Sequence, residues 1–189
     1  MTIRLATFAA ALALGTATLV STMPSVAQEM TKMVGGAAMY PSKNIIENAV
    51  NSKDHTTLVA AVKAAGLVET LQGAGPFTVF APRNAAFAKL PKGTVETLLM
   101  PANKAALTGV LTYHVVSGRV TAQQLMAQVK QGGGKAMLKT VQGETLTVMQ
   151  KGNKLILEDQ KGRKSTVTIA DVMQSNGVIH VVDTVLLPG

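Results

Sequence analysis

The spacing of the apolar residues changes once along this chain, at Gly132-Gly133-Gly134. Between residues 42 and 116, apolar residues recur every three or four positions, which is typical of amphipathic helices. Beyond the three glycines, apolar and polar residues alternate, which is typical of strands with one buried and one wet face. The sequence therefore predicts an α+β fold, with helices mainly in the N-terminal half and an antiparallel sheet mainly in the C-terminal half.

One strand is expected to interrupt the helical half. Phe77-Thr78-Val79-Phe80 is apolar on both faces and is bounded by Gly75-Pro76 and Ala81-Pro82, as in a buried strand. Helices are predicted at residues 54–66, 94–100, 103–114 and 121–129, and strands at 137–141, 145–149, 155–157, 167–170 and 178–187.

The first 27 residues have the features of a secretory signal peptide. Arg4 precedes an apolar run at residues 5–20, and the small residues Ser25 and Ala27 mark a cleavage site after Ala27. We expect residues 28–41 to be a flexible leader and residues 42–189 to be the folded domain. The mature protein is then periplasmic or secreted, with no transmembrane segment left after cleavage.

Composition excludes several classes of function. The chain has no Cys, which excludes disulfides, a cysteine nucleophile and thiolate-bound metals. Its three His residues lack metal-ligand spacing, so neither a metal nor another cofactor is predicted. The formal net charge of +8 allows attraction to polyanions. The chain has no Trp, 2 Tyr and 4 Phe, which are too few aromatic rings for a surface on which bases stack, so nucleic acid is not expected as a partner.

The methionines leave one question open. Met30, Met33 and Met39 lie close together in the expected leader, and thioether sulfur is a soft ligand that suits Cu(I). The sequence does not decide whether this leader binds copper. Met126, Met137 and Met173 are instead expected to fill the core.

Basic residues are concentrated between residues 130 and 164, a segment that contains eight basic and three acidic residues. One interpretation is a solubilising sheet face, and the other is a site for acidic polysaccharide or another anionic surface. The residues of this predicted polyanion patch are Lys130, Lys135, Lys139, Lys151, Lys154, Lys161, Arg163 and Lys164.

His114 ends an apolar helical stripe that includes Leu107 and Leu111. An imidazole in such a place needs hydrogen-bond partners, so we expect a structural hydrogen bond, with the Asn84 side chain as the leading candidate. The alternative is a small-ligand or enzymatic site near His114. Ser117 is close in sequence, but no G-x-S-x-G motif surrounds it.

Three segments, in order, resemble the signature motifs of the fasciclin domain family. Residues 75–87 (GPFTVFAPRNAAF) resemble its first box, residues 111–116 (LTYHVV) its Tyr-His motif, and residues 176–188 (NGVIHVVDTVLLP) its second box. The resemblance implies a single fasciclin-like domain with helices packed on a wedge of two β-sheets. Arg83 stands where the family usually has a small hydroxyl residue, so no role of that hydroxyl carries over.

The same resemblance implies an extracellular module for cell adhesion and protein-protein interaction, without catalytic activity or cofactor. Its partner would be a cell-surface or extracellular protein. In animal members the Tyr-His region is implicated in receptor binding. Here that interaction motif corresponds to Leu111, Tyr113, His114, Val115 and Val116, although the apolar stripe favours a role for these residues in the fold.

Overall fold

A computed structural model describes residues 31–189, so the predicted signal peptide and Met30 lie outside the described residues. No helix in the described part of the chain is long and apolar enough to span a membrane. The helices are α1 Ile45–Ala49, α2 Thr56–Ala65, α3 Val68–Gln72, α4 Asn84–Phe87, α5 Thr94–Leu99, α6 Lys104–Tyr113 and α7 Ala122–Gln131. The strands are β1 Lys32–Val34, β2 Ala37–Met39, β3 Phe77–Pro82, β4 Val115–Ser117, β5 Lys135–Lys139, β6 Thr145–Lys151, β7 Lys154–Glu158, β8 Lys164–Gln174 and β9 Gly177–Val182.

The α+β prediction is confirmed, and the three glycines separate α7 from the run of strands. Seven strands follow the order β4-β3-β9-β8-β7-β6-β5, with β3 and β9 parallel and the other neighbours antiparallel. The long strand β8 pairs first with β7 and then with β9. Register shifts after Val167 and Ile169 bend it there, and Asp171 has a φ of 54°.

Because β8 bends, the strands form two sheets that share it, which is the expected wedge. The first sheet is β4-β3-β9-β8, and the second sheet is β8-β7-β6-β5. At the far end of the wedge, Val116 of β4 forms a bridge with Thr140, just after β5. The strand β8 therefore belongs to both sheets.

Two apolar clusters form the core of residues 31–189. The first lies between helices α1 to α6 and the first sheet, and the second lies between α7 and the inner face of the second sheet. Strands β3 and β9 separate them, because Val79 and Val181 enter the first cluster while Phe80 and Val182 enter the second. Alternate side chains of these two strands are therefore buried on opposite faces.

Residues 32–39 correct one prediction, since they form a β1-β2 hairpin rather than a flexible leader. Gly35 and Gly36 form its turn with φ of 58° and 76°, a conformation that glycine adopts without a steric penalty. Val34 and Met39 are buried in the first cluster. Strands of three residues are too short to show a periodicity, which is why the apolar spacing gave no sign of them.

The hairpin also separates the methionines of the copper hypothesis. Met39 is buried, whereas Met33 points to the opposite face and is 62% exposed. Successive side chains of a strand alternate between faces, so these two thioethers cannot bind one copper ion together. Met30 lies outside the described residues.

Candidate functional site

The Tyr-His segment joins the end of α6 to β4, and it is buried. Leu111, Tyr113, His114, Val115 and Val116 are each at most 6% exposed. The Tyr113 hydroxyl donates to the Thr145 carbonyl at 3.1 Å, and burial, more than any nearby charge, raises the pKa of this phenol to about 12. These five side chains therefore hold the fold together, and as they stand they offer no surface to a partner.

His114 forms structural hydrogen bonds, but not with the predicted residue. Its Nε2 accepts from the Leu186 amide at 3.1 Å, so Nδ1 carries the proton and donates to the Val110 carbonyl at 2.8 Å. Burial lowers the pKa of the ring, which keeps it neutral. His114 thus fastens the C-terminal segment to the end of α6.

The expected contact between Asn84 and His114 is wrong. Asn84 accepts from the Thr57 amide at 3.0 Å and donates to the Lys53 carbonyl and the Thr56 hydroxyl, both at 2.9 Å. It joins the start of α4 to the start of α2. The sequence showed that the His114 ring needed hydrogen-bond partners, but not which groups would supply them.

The surroundings of His114 do not favour an enzymatic site. The two cavities beside it are lined almost entirely by apolar side chains. Both ring nitrogens are bonded to the main chain, so the imidazole is not available as a base for Ser117. The polar groups that acid-base catalysis requires do not converge here.

The other two histidines are buried as well. His180 accepts from the Asp171 amide at 3.2 Å and donates to the Val120 carbonyl at 2.9 Å, which joins β9 to the β8 bend and to the segment before α7. Burial lowers the pKa of His55 and of His180. Within residues 31–189, no three His, Asp or Glu side chains are grouped so that they could hold a metal ion.

The outer face of the second sheet is the surface that stands out. We use this name for the side chains of β5 to β8 that alternate away from the core. Cross-strand pairing places Met149 between Lys135 and Ile156, and Met137 lies diagonally next to Met149. Met137, which was expected in the core, is 76% exposed.

Five of the eight predicted patch residues lie on this outer face, around the three apolar side chains: Lys135, Lys139, Lys151, Lys154 and Lys164. The other three do not. Lys130 is in the last turn of α7, Lys161 is in the turn between β7 and β8, and Arg163 donates from Nε to the buried Asp159 carboxylate at 2.8 Å. The predicted patch is therefore smaller than the run of basic residues in the sequence.

The family model of the fasciclin domain matches residues 53–188. The chain belongs to the fasciclin domain family. Protein sll1483 from Synechocystis sp. is 50% identical over 172 residues, which cover 88% of each chain. Transforming growth factor-beta-induced protein ig-h3 from Sus scrofa is 37% identical over 78% of this chain and 20% of its own length.

Among solved structures, a FAS1 domain pair from the insect cell adhesion molecule Fasciclin I has the same fold, with a TM-score of 0.70 at 20% identity. The match covers 78% of this chain and 52% of that one. In this fasciclin domain, the two boxes seen in the sequence contain β3 and β9, which are almost wholly buried. The outer face belongs to neither box.

Sequence reasoning missed Met149 and Ile156 as surface residues. Met149 lies in a strand whose alternation was recognised, Ile156 lies in a predicted strand, and both are half-buried on the outer face. The available signal was their register: Met149 follows Thr145 and Thr147 at every second position, whereas the buried residues of this strand are Leu146 and Val148.

Proposed function

We propose that this fasciclin domain is a non-catalytic, extracytoplasmic adhesion module that binds a cell-surface or extracellular protein through the outer face of its second sheet. The observation that carries the proposal is the apolar centre of that face, formed by the exposed Met137 and by the half-buried Met149 and Ile156. The adhesion role is supported by family membership and by the cell adhesion molecule that shares its fold.

The composition of the outer face fits a protein interface. Protein interfaces combine an apolar centre with a polar rim, and methionine is enriched in them. Here the centre lies on a paired sheet, so little backbone order has to be gained on binding. The surrounding lysines favour a partner whose matching rim is acidic.

The proposed location rests on residues 1–27. Their short apolar run and small residues support export and cleavage after Ala27, which would release the module into the periplasm or the medium. An adhesion surface can meet an extracellular partner only after such export.

A second candidate is binding of acidic polysaccharide or another anionic surface. It is favoured by the charge of the outer face, where five lysines accompany one acidic residue, Glu158. Glu158 is 4.0 Å from Lys164 and leaves the other four lysines without a salt bridge within the described structure. Binding of this kind would depend on charge alone and would weaken as salt screens it.

Site-specific photo-crosslinking in the native cell envelope tests the main proposal. A photoreactive residue at position 137 should capture a defined envelope protein, and Lys135→Glu in the same chain should reduce that capture about tenfold. Met33 offers a matched control, because it is an exposed methionine on the separate β1-β2 hairpin. Equal capture from positions 33 and 137, or none from either, would refute the proposed surface.

The two candidates respond differently to salt and to Met137→Ser. A protein partner that uses the apolar centre should be weakened by Met137→Ser and should survive about 0.5 M salt, at which the Debye length is only a few ångströms. An acidic polysaccharide should be released by that salt and be indifferent to Met137→Ser. Binding assays with alginate as the polysaccharide probe separate these outcomes.

A further inference from the structure

The first core cluster contains an apolar cavity of about 60 Å³, away from the outer face. Voids larger than a water molecule are few in protein interiors. One water needs about 10–15 Å³ of such space, so this cavity has room for about four to six groups of that size. It is bounded by the β1-β2 hairpin, by four helices and by strands β3, β4, β8 and β9, so a volume this small must be narrow.

The cavity reaches solvent at the β4 edge of the first sheet. Its lining there includes Val141, which is 45% exposed and whose amide donates to the Val115 carbonyl of β4 at 2.7 Å. Phe77, at the start of the neighbouring strand β3, and Thr112, near the end of α6, also line the cavity and are half-buried. Deeper lining residues such as Val34 are buried.

The described lining is apolar apart from His55, Thr70, Thr112 and His114. Both ring nitrogens of His114 are bonded to the main chain. In His55, Nδ1 is 2.8 Å from the Ser52 hydroxyl and Nε2 has almost no accessible surface. The Thr112 hydroxyl is bonded within α6, and Thr70 is exposed to solvent. A charged or hydrogen-bonding ligand would therefore lose its water without gaining a partner, whereas a hydrocarbon would not.

Size, shape and lining together identify the kind of ligand. An apolar cavity stays dry but accepts apolar molecules, because they restore the contacts that its lining lacks. About four to six carbon atoms of an unbranched chain fill this space, and the rest of a longer chain can leave past Val141 with its polar head in water. We propose that this cavity binds the end of an unbranched acyl chain of a lipid. The proposed export would bring it to the lipids of the cell envelope.

Two isomers with equal numbers of carbon atoms, n-pentane and neopentane, test the narrow shape by NMR titration of the mature chain. n-Pentane should bind saturably and shift the methyl signals of Leu58 and Val79, which line the cavity. Neopentane, which is globular, should bind at least about tenfold more weakly. Leu146 and Val148, buried in the second cluster, should not shift. Equal affinity for the two isomers, or equal shifts in the two clusters, would overturn the proposal.

A pair of variants tests the location. Ala49 lines the cavity at the end of α1, so Ala49→Leu should fill the space and abolish n-pentane binding. Ala60→Leu is the matched control, because Ala60 is exposed on α2 and lies outside the lining. Binding that survives in Ala49→Leu, or that is lost equally in both variants, contradicts the assignment. The shifts in the unmodified chain give the location even where Ala49→Leu does not fold.

Lysophosphatidylcholine with a ten-carbon chain, used below its micelle-forming concentration, tests the lipid itself. It should displace n-pentane, shift the same methyl signals and also shift Val141 at the mouth. Failure to displace n-pentane would refute the binding of an acyl chain. Envelope capture from position 137 should be the same in Ala49→Leu as in the unmodified chain, which keeps this result separate from the proposed adhesion surface.

Discussion

The two sheets of this domain share one strand but differ in what covers them. In the first sheet, all six residues of β9 are buried, because apolar clusters lie on both of its faces. In the second sheet, β5 alternates strictly between exposed and buried residues, because the second apolar cluster covers its inner face while the side chains on its other face are exposed. The first sheet thus contributes mainly to the stability of the fold, whereas one face of the second sheet is open to contact with other molecules.

The difference separates the residues that reveal the family from those proposed to bind. The two fasciclin boxes and the Tyr-His segment form β3, β9 and the end of α6, which are core elements. A motif in such positions reflects the packing of the core. The partner of this particular domain should instead be determined by exposed side chains such as Met137.

Lowering the pH is expected to have the largest effect, because three buried histidines lie in or beside the first sheet. Burial lowers the pKa of His55, His114 and His180 in the folded protein below that of the unfolded chain. Their stabilising effect is then complete above pH of about 6.5 and is lost as pH falls towards their folded pKa values. While all three stay neutral, stability should fall by up to about 4 kcal/mol per pH unit.

Urea unfolding at several pH values between 7 and 5 measures this slope. His114→Gln removes one titrating ring and should reduce the slope by about a third. A stability that is constant from pH 7 to 5 would contradict the prediction.

The second largest effect is expected for His114→Ala, which should destabilise the domain by about 3 kcal/mol. The change leaves the Leu186 amide and the Val110 carbonyl without the ring and creates a cavity in a buried site. Chemical denaturation at pH 7 measures it. Envelope capture from position 137 should be lost only as far as the protein unfolds.

Thr112→Ala is a matched control for this measurement. Thr112 precedes the Tyr-His pair, is half-buried, and its hydroxyl bonds only to carbonyls within α6. Its loss should cost well under half as much as the loss of His114. Equal destabilisation by the two variants would show that the bridge to Leu186 contributes little.

The sequence predicted the α+β order and the strand alternation because both follow from the local spacing of apolar residues. It could not find the partner of His114, since Leu186 is 72 residues away and the contact depends on how the C-terminal segment crosses α6. The sequence also could not show which basic residues between 130 and 164 lie on the outer face. Whether a lysine lies on the outer face depends on strand register, whereas Arg163 is held by the turn that contains Asp159.

The smallest effect is expected on the outer face itself. Met137→Ala should change the free energy of unfolding by less than about 0.5 kcal/mol, because the side chain is 76% exposed and removing it opens no cavity. Leu138→Ala, at the next position of β5, provides the matched comparison: Leu138 is 7% exposed and packs against the second core cluster, so its truncation should cost about 2–5 kcal/mol. Denaturation of the two variants under one condition tests both values. If Met137→Ala were as costly as Leu138→Ala, Met137 would belong to the core. If it leaves stability unchanged but reduces envelope capture by a photoreactive residue at position 149, the outer face is free in the isolated domain and occupied in the complex.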